Sequence, residues 1–370
     1  MYRNFQTYFI NSLFATLILC LCLAPAMAQA LDTPITSEEL VRMVYQLPRH
    51  PEKRDEIVEE IRKRGIGFEL TPGLRGVVAS KSGNDALIRR TLEEAARRRV
   101  NPVASALPPE AEARDLLTRT RVVTLAASEA MPDFIVKQLI TRSYSRPGLN
   151  NWTVSDRLTV AVSFRAQYGE EFKLLAVNGL LPNAEMKDGQ GYEQVGGSTS
   201  SGEFATRLAG IFRDYSKTEF RAVDTDTLRG RRTIIYEYEI KKVNSRSMLT
   251  YENRGQSQRQ IRVGDRGKIW IDRELNRVLR LESISTEIEA GFPITEASRT
   301  IDYDWVTINE RPYLLPSHAD VMITSTFDGQ SIQTRNEIRF RNYQKFGAEV
   351  KIIEDVDEDD EPPPPENKKP

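Results

Sequence analysis

The sequence predicts an α+β fold, in which a curved antiparallel sheet of the half-barrel type is covered by helices and preceded by a small all-α unit. Strand-like segments with alternating polar and apolar residues follow one another at short intervals between about residues 133 and 346. Segments in which apolar residues have helical spacing are concentrated before residue 101. Only one helical segment, at residues 202–212, interrupts the strands, which favours helices covering one face of a single sheet.

Length and composition indicate how many domains the chain has and whether it binds nucleic acid. The chain has 370 residues, which suggests about two domains. Its residues are 39% hydrophobic and 28% charged, with a formal net charge of -1. Proteins that bind nucleic acid usually carry a clustered basic face, which this balance does not indicate. We therefore predict no nucleic-acid partner.

The first 30 residues have the features of a secretory signal peptide. Arg3 supplies the positive start, residues 13–24 the apolar run, and either Ala26-Met-Ala28 or Ala28-Gln-Ala30 the small-residue cleavage site. An uncleaved membrane anchor would need about 20 apolar residues, and Pro25 and Gln29 interrupt the run before that length. Cleavage would leave no stable membrane anchor, so we predict a periplasmic or secreted protein.

Both cysteines, Cys20 and Cys22, lie inside this leader. The mature chain would then contain no thiol, which excludes a disulfide framework, a cysteine nucleophile and a cysteine-bound metal. An exported protein of this size can be stable without disulfides if its core is large enough.

The rest of the chain divides into four parts by pattern and composition. Residues 31–101 are predicted to be a helical domain, whose first helix begins at the capping-box sequence Thr36-Ser-Glu-Glu39. Residues 102–108 are predicted to be a linker, and residues 109–347 the half-barrel. Residues 348–370 are acidic and rich in proline, and such a segment cannot bury enough apolar surface to fold. It is predicted to be a disordered tail.

One hairpin in the middle of the half-barrel has the clearest strand pattern. Its strands are predicted at residues 268–271 and 277–284, with a polar turn at 272–276. The first strand alternates, with Ile269 and Ile271 on one face and Lys268 and Trp270 on the other. This is the pattern of a strand buried on one face only.

The chain offers few residues for catalysis. Its two histidines, His50 and His318, are far apart and lack the spacing of metal ligands. Ser317 and His318, with Asp302 or Asp320, contain the residue types of a hydrolytic triad, but neighbours along a strand point to opposite faces. We therefore predict no catalytic residue, metal site or cofactor, and a protein that is not an enzyme.

Several charged groups could belong to a functional site, but the sequence favours solvent-exposed positions for them. Asp224 and Asp226, and likewise Asp302 and Asp304, share a strand face and could act as paired carboxylates. Without a third ligand we expect solvent-facing strands. The basic residues 97–99 could form an interaction patch, but a solvated helix end that matches the helix dipole is favoured.

The central hairpin also carries a family resemblance. The segment Gly267-Lys-Ile-Trp-Ile-Asp-Arg-Glu-Leu-Asn-Arg-Val-Leu-Arg280 resembles a strand, turn and arginine-rich return strand of the periplasmic lipoprotein-carrier family, the LolA-like half-barrels. The segments Met131-Pro-Asp-Phe134, Gly202-Glu-Phe204 and Tyr313-Leu-Leu-Pro316 resemble pieces of a secreted acidobacterial branch of that architecture. The segment Ile61-Arg-Lys-Arg-Gly-Ile-Gly-Phe-Glu-Leu70 is similar to the small helical modules of secreted acidobacterial proteins. The family resemblance implies a concave sheet face, closed by helices, that holds acyl chains or another apolar ligand.

Two functional hypotheses follow. In the first, the chain is a non-enzymatic exported binding protein that holds a lipid, lipopeptide or lipoprotein acyl chain in the half-barrel groove. In the second, it is an envelope sensor or interaction scaffold that binds protein partners and has a filled sheet core. The oligomeric state stays open. The candidate groove or core residues are apolar and aromatic side chains of the covering helix and the central strands: Phe204, Leu208, Ile211, Phe212, Tyr236, Tyr238, Trp270, Ile301, Tyr303 and Trp305.

Overall fold

The computed structural model describes residues 33–147, 151–181, 195–199, 204–252, 258–327 and 329–346. The predicted signal peptide, residues 1–30, and the predicted tail, residues 348–370, lie outside the described residues. Within the described ranges, no helix has the length and apolar character needed to cross a membrane.

The N-terminal part is a unit of four helices, as the spacing of its apolar residues predicts. The helices are α1 (Ser37–Val44), α2 (Arg54–Arg64), α3 (Pro72–Lys81) and α4 (Ala86–Val100). They bury a common core of aliphatic side chains that is separate from the core of the sheet. This unit therefore has a core of its own.

The start of α1 and the end of α2 have the capping chemistry that their residues indicate. The Thr36 hydroxyl accepts a hydrogen bond from the Glu39 amide at 3.2 Å, and Gly65 ends α2 with a positive φ of 65°. The Glu39 carboxylate also accepts a hydrogen bond from the backbone of Thr36, as the capping box predicts. It pairs with the guanidinium of Arg64, at 2.6 and 2.8 Å, and so ties α1 to α2.

The predicted linker at residues 102–108 is partly helical. It contains the short helix α5 (Pro102–Ser105), and the Thr225 hydroxyl lies 2.8 Å from the carbonyl oxygen of Ser105. The segment is thus attached to the sheet. The long helix α6 (Glu110–Glu129) follows, and it ends just before the first strand.

The body of the protein is a ten-stranded antiparallel sheet whose two edges do not pair with each other. Across the sheet the order is β3-β2-β1-β12-β11-β10-β9-β8-β5-β4, while β6 and β7 form a separate hairpin. The strands are β1 (Phe134–Ser145), β2 (Thr153–Arg165), β3 (Gly169–Val177), β4 (Glu219–Leu228), β5 (Arg231–Ile240), β6 (Met248–Tyr251), β7 (Arg259–Arg262), β8 (Gly264–Asp272), β9 (Val278–Thr286), β10 (Ile294–Ile308), β11 (Arg311–Phe327) and β12 (Gln330–Lys345). Between β3 and β4 lies the covering helix α7 (Ala205–Phe212).

These elements confirm the predicted fold class, an open antiparallel sheet with helices on it and a helical unit before it. The hairpin β6–β7 was not predicted. Its strands have four residues each, and their alternation is too short to stand out from the surrounding polar sequence.

The two faces of the sheet are covered by different parts of the chain. The inner face packs against α6 and α7 and carries the main hydrophobic core. The outer face packs against α4 where β4, β5, β8 and β9 lie side by side. Because both faces are covered there, Trp270 is completely buried. The prediction that this strand is buried on one face only was therefore wrong.

The central hairpin depends on a close approach of two backbones. A Cβ atom added to Gly267 would lie 1.9 Å from the carbonyl oxygen of Glu282 on the paired strand, so only glycine fits. At the other end of β8, the Asp272 carboxylate accepts hydrogen bonds from the amides of Glu274 and Leu275, both at 2.8 Å. Asp272 therefore shapes the turn, as its position in the sequence suggests.

Replacing Gly267 by alanine should strongly destabilise the sheet. We expect the free energy of unfolding to fall by about 3 kcal/mol or more, because the new methyl group collides with backbone that cannot move alone. The measurement is urea unfolding followed by circular dichroism.

The matched control is Gly76→Ala, in the middle of α3, where an added Cβ meets nothing within 4 Å. It should raise stability by roughly 0.5–1 kcal/mol, since alanine loses less backbone entropy in a helix. Equal effects of the two substitutions would contradict the close approach at Gly267.

Candidate functional site

The inner face of the sheet is a continuous apolar surface. Buried side chains from β1, β2, β3, β5, β8, β9, β10, β11 and β12 form one cluster with residues of α6 and α7. The β5 residues in this cluster are Ile234, Tyr236, Tyr238 and Ile240, which is the face that the alternation predicts. This inner face is where the sequence predicts the groove of the half-barrel.

The space between α7 and the inner face is occupied by aromatic side chains. The ring of Phe204 at the start of α7 packs edge-on against Phe134 and Phe340, with ring centroids 5.3 and 5.5 Å apart. At the other end of α7, Phe212 stacks on Phe220 with centroids 5.5 Å apart. In this conformation the part of the inner face beneath α7 is covered by the helix's own side chains.

A polar contact, here called the α7 clamp, holds the covering helix in place. The guanidinium of Arg207 donates to the Asp265 carboxylate on β8 at 2.8 Å and to the hydroxyls of Ser283 and Ser247 at 3.0 and 3.2 Å. Asp265 also accepts a hydrogen bond from the Tyr238 hydroxyl at 3.1 Å. Both partners of the ion pair are largely withdrawn from solvent, so breaking it would leave a buried charge unpaired.

Helix α6 is attached to the inner face by bonds to its backbone. The Tyr236 hydroxyl donates to the carbonyl of Ala113 at 2.8 Å, and Arg277 donates to the carbonyl of Val123 at 2.7 Å. Burial raises the pKa of Tyr236, so its hydroxyl keeps the proton that it donates. Helix α6 is thus attached to the sheet near both of its ends.

The segment 195–199 crosses the inner face at the far end of β1. The Arg142 guanidinium donates to the carbonyl of Gly196 and pairs with the Asp156 carboxylate. The Asn336 amide donates to the carbonyl of Ser198 at 2.8 Å. These polar contacts close one end of the apolar face.

The structure brings most of the predicted groove residues together on the inner face. Leu208 is half-buried against that cluster, and Trp270 and Trp305 lie outside it. The remaining seven are members of the cluster: Phe204, Ile211, Phe212, Tyr236, Tyr238, Ile301 and Tyr303.

The two tryptophans differ from the rest for reasons of strand geometry. Trp270 alternates with Ile269 and Ile271 and therefore faces outward, where it forms a separate cluster beneath the helical unit. Trp305 follows a bulge in the pairing of β10 with β11 at Asp302 and Tyr303, and it is 44% exposed. The prediction that Trp305 lies on the same face of the strand as Ile301 and Tyr303 was therefore wrong.

The carboxylates of β4 hold the helical unit on the outer face. The Asp226 carboxylate accepts hydrogen bonds from Arg90 of α4 at 2.6 Å and from the indole nitrogen of Trp270 at 2.9 Å. Asp224 pairs with Arg98 of α4 and, at 3.3 Å, with Arg62 of α2. Both aspartates are buried, so the expectation of solvent-facing carboxylates was wrong.

The basic residues 97–99 therefore have a second role beyond matching the helix dipole. Arg98 donates to Asp224 and to the carbonyl of Thr225 at 2.9 Å, which places one member of the triplet in the interface. The sequence shows arginines and aspartates that are more than a hundred residues apart, and no local pattern connects them.

A cleft of about 430 Å³ opens between the helical unit and the outer face of the sheet. Apolar side chains such as Leu107, Val223 and Ile235 form part of its wall. Most of the charged groups that line it already pair with one another, as Lys268 does with Glu59 at 3.1 Å. The cleft is thus a gap in an interface whose charges are mostly matched.

The residues whose types match a hydrolytic triad make other contacts. The Ser317 hydroxyl donates to the main-chain carbonyl of Asp302 at 3.2 Å, and the Asp302 carboxylate accepts two hydrogen bonds from Arg280 at 2.7 and 2.6 Å. His50 lies in the helical unit, 2.9 Å from Glu52. Among the described residues, no group of three or more His, Cys, Asp or Glu side chains could hold a metal ion.

Two buried aspartates should change the pH dependence of stability in opposite directions. Burial raises the pKa of Asp224 above 3.8 despite its arginine partners, while for Asp302 burial is outweighed by Arg280, which lowers the pKa. The ionised Asp302 carboxylate stabilises the folded protein, and this contribution is lost when the carboxylate is protonated. The free energy of unfolding of the wild type should therefore fall relative to that of Asp302→Asn as the pH decreases below about 4. Relative to Asp224→Asn the wild type should gain stability as pH falls towards that range, since protonation removes the penalty of a buried charge.

Urea unfolding of the wild type and both variants between about pH 6 and pH 3 measures these differences. Each variant serves as the control for the other. The same sign of change in both would contradict the different environments of the two carboxylates.

Comparisons with known proteins give weak likenesses. No family model and no curated protein match the chain. Similar solved structures include a domain described as an outer membrane lipoprotein-sorting protein from Vibrio parahaemolyticus, with 11% identity, 63% of this chain and 93% of that chain covered, and a TM-score of 0.32. A DUF1329 family protein from Desulfovibrio piger has 9% identity, covers 63% of this chain and 94% of its own, and has a TM-score of 0.29. A structure of the MucA/MucB complex of Pseudomonas aeruginosa is 10% identical, with 61% of this chain and 94% of that chain covered, and has a TM-score of 0.17.

Proposed function

We propose that this chain is a non-enzymatic exported binding protein that holds an apolar ligand against the inner face of its sheet. The ligand is a lipid, a lipopeptide or the acyl chain of a lipoprotein. It enters when α7 leaves its position on the sheet, and its hydrocarbon part replaces the contacts of Phe204, Ile211 and Phe212.

The observation that carries the proposal is the contrast between the two covering helices. Helix α6 has 20 residues and is attached to the sheet along its length, whereas α7 has eight residues and is held through Arg207 by the α7 clamp. A short helix that covers part of a large apolar face can move without exposing the whole core. The exposed part of the face would then bury hydrocarbon at about 25 cal/mol per Å².

The buried polar clamp also supports this proposal. A buried ion pair adds little net stability compared with apolar residues of the same volume, because both charges lose their hydration. A leucine at position 207 would cover the face at less cost if permanent closure were the only requirement. An ion pair with three hydroxyl neighbours instead gives α7 one defined closed position that it can leave.

A second function is favoured by the aromatic contacts of Phe204 and Phe212. These side chains fill the space under α7, which is what an interaction scaffold with a filled core requires. In that case partners would bind outside the sheet core, and the helical unit on the outer face would be the partner-binding part. Deleting the helical unit would then abolish partner capture and leave the inner face unchanged.

Breaking the α7 clamp should expose the inner face. The double variant Arg207→Ala, Asp265→Asn removes both charges, so no unpaired charge remains buried. We expect the fluorescent probe 1-N-phenylnaphthylamine to bind about tenfold more tightly, because the open state becomes more populated. Fluorescence titration of the purified protein measures this affinity.

The matched control is Arg213→Ala at the end of α7, whose ion pair with Glu129 of α6 is solvent-exposed. It should leave probe affinity unchanged, since exposed pairs contribute about 0–1 kcal/mol. Near-ultraviolet circular dichroism must show native packing in both variants. If the double variant keeps native packing and binds the probe no better than the wild type, opening at α7 is excluded.

A further inference from the structure

A glutamine in the middle of the apolar inner face has no hydrogen-bond partner. Gln138 lies on β1 and is 1% exposed, and neither its side-chain nitrogen nor its oxygen is hydrogen-bonded. Its neighbours across the sheet are Val160 on β2 and Phe340 on β12. Along its own strand the residues on the same face are Val136 and Ile140, both buried in the main core.

An amide in this position requires a physical explanation. Buried polar groups in folded proteins are almost always hydrogen-bonded, because an unpaired group loses its bonds to water and gains none in return. Here both ends of one amide are left unpaired. A leucine of similar volume would avoid that penalty.

Water alone is a poor partner for this amide. A buried water is held by two to four polar groups. The side chains next to Gln138 in the sheet are valine, isoleucine and phenylalanine, which offer none. A polar group that is covalently attached to an apolar body matches this environment better.

The position of Gln138 connects it with α7. Its cross-strand neighbour Phe340 is in ring contact with Phe204, the residue at the start of α7. One side chain, Phe340, thus separates the amide from the start of α7, and the proposal includes the amide in the part of the inner face that a movement of α7 would uncover.

We propose that Gln138 is the polar anchor for the head group of an acyl ligand, and that this head group is a carboxamide or an unionised carboxyl. The two atoms of the amide edge donate one hydrogen bond and accept another, and these two head groups supply both complements. An ester supplies only the acceptor, and a hydrocarbon supplies neither. The inference rests on the proposed function, because it specifies the chemistry of a ligand bound at the same face.

The test compares ligands that share one chain and differ in the head group. Dodecanamide, dodecanoic acid, methyl dodecanoate and dodecane are titrated against the full chain loaded with 1-N-phenylnaphthylamine, and displacement is measured. We expect dodecanamide to bind about tenfold more tightly than the ester, since it makes one more hydrogen bond and leaves no amide atom unpaired. Dodecanoic acid should bind more tightly as pH falls, because only its neutral form donates; dodecanamide should show no such change.

The variant Gln138→Leu should bind the amide and the ester equally. Its melting temperature without ligand should be higher than that of the wild type, because the unpaired amide is gone. A glutamine with a purely structural partner would behave in the opposite way, and its loss would lower the melting temperature. The control Gln330→Leu, at the exposed start of β12, should retain the preference for the amide.

The outcomes separate the two proposals. If the wild type binds all four compounds with equal affinity, the anchor is excluded and the apolar site remains. If it binds none of them, dodecane included, the proposed function is wrong and the anchor with it. A lower melting temperature of Gln138→Leu, with the amide preference unchanged, would also overturn the anchor.

Discussion

The contact between Arg207 and Asp265 is the constraint on which the arrangement of this protein depends. The open ten-stranded sheet has an inner face made of aliphatic and aromatic residues, and such a face must be covered. The long helix α6 covers one part permanently through bonds to its backbone. Another part is covered by the eight residues of α7, which is held by its buried apolar side chains and by one buried ion pair. In the proposed function, breaking that pair is the step that turns the covered inner face into a binding surface.

The outer face of the sheet is covered by the helical unit, which is held there by ion pairs. There Asp224 and Asp226 hold arginines of the helical unit, and Trp270 is enclosed between them and the sheet. Charge pairing of this kind fixes orientation more than it adds stability. The helical unit is thereby attached to the strands on the side opposite to α7. A ligand bound at the inner face, as proposed, would therefore not displace the helical unit.

The sequence predicts the fold well where local patterns carry the information. Strict alternation identifies the inner residues of β5, whereas the close approach at Gly267 emerges only from the structure. It fails where distant residues decide the outcome. The burial of Trp270, Asp224 and Asp226 depends on helices more than a hundred residues away, and the bulge at Asp302 changes the faces of the strand after it. Gln138 looks like an ordinary polar residue in the sequence, and only the packing around it reveals an unpaired amide.

The central claim is that the inner face holds an apolar ligand. Native mass spectrometry of the protein, expressed with its leader and purified from the periplasm without detergent, tests it most directly. The claim predicts a bound mass that organic extraction removes and that is recovered in the extract as an acyl compound. A spectrum with only the mass of the protein, together with no binding of added acyl compounds to it, would contradict the claim.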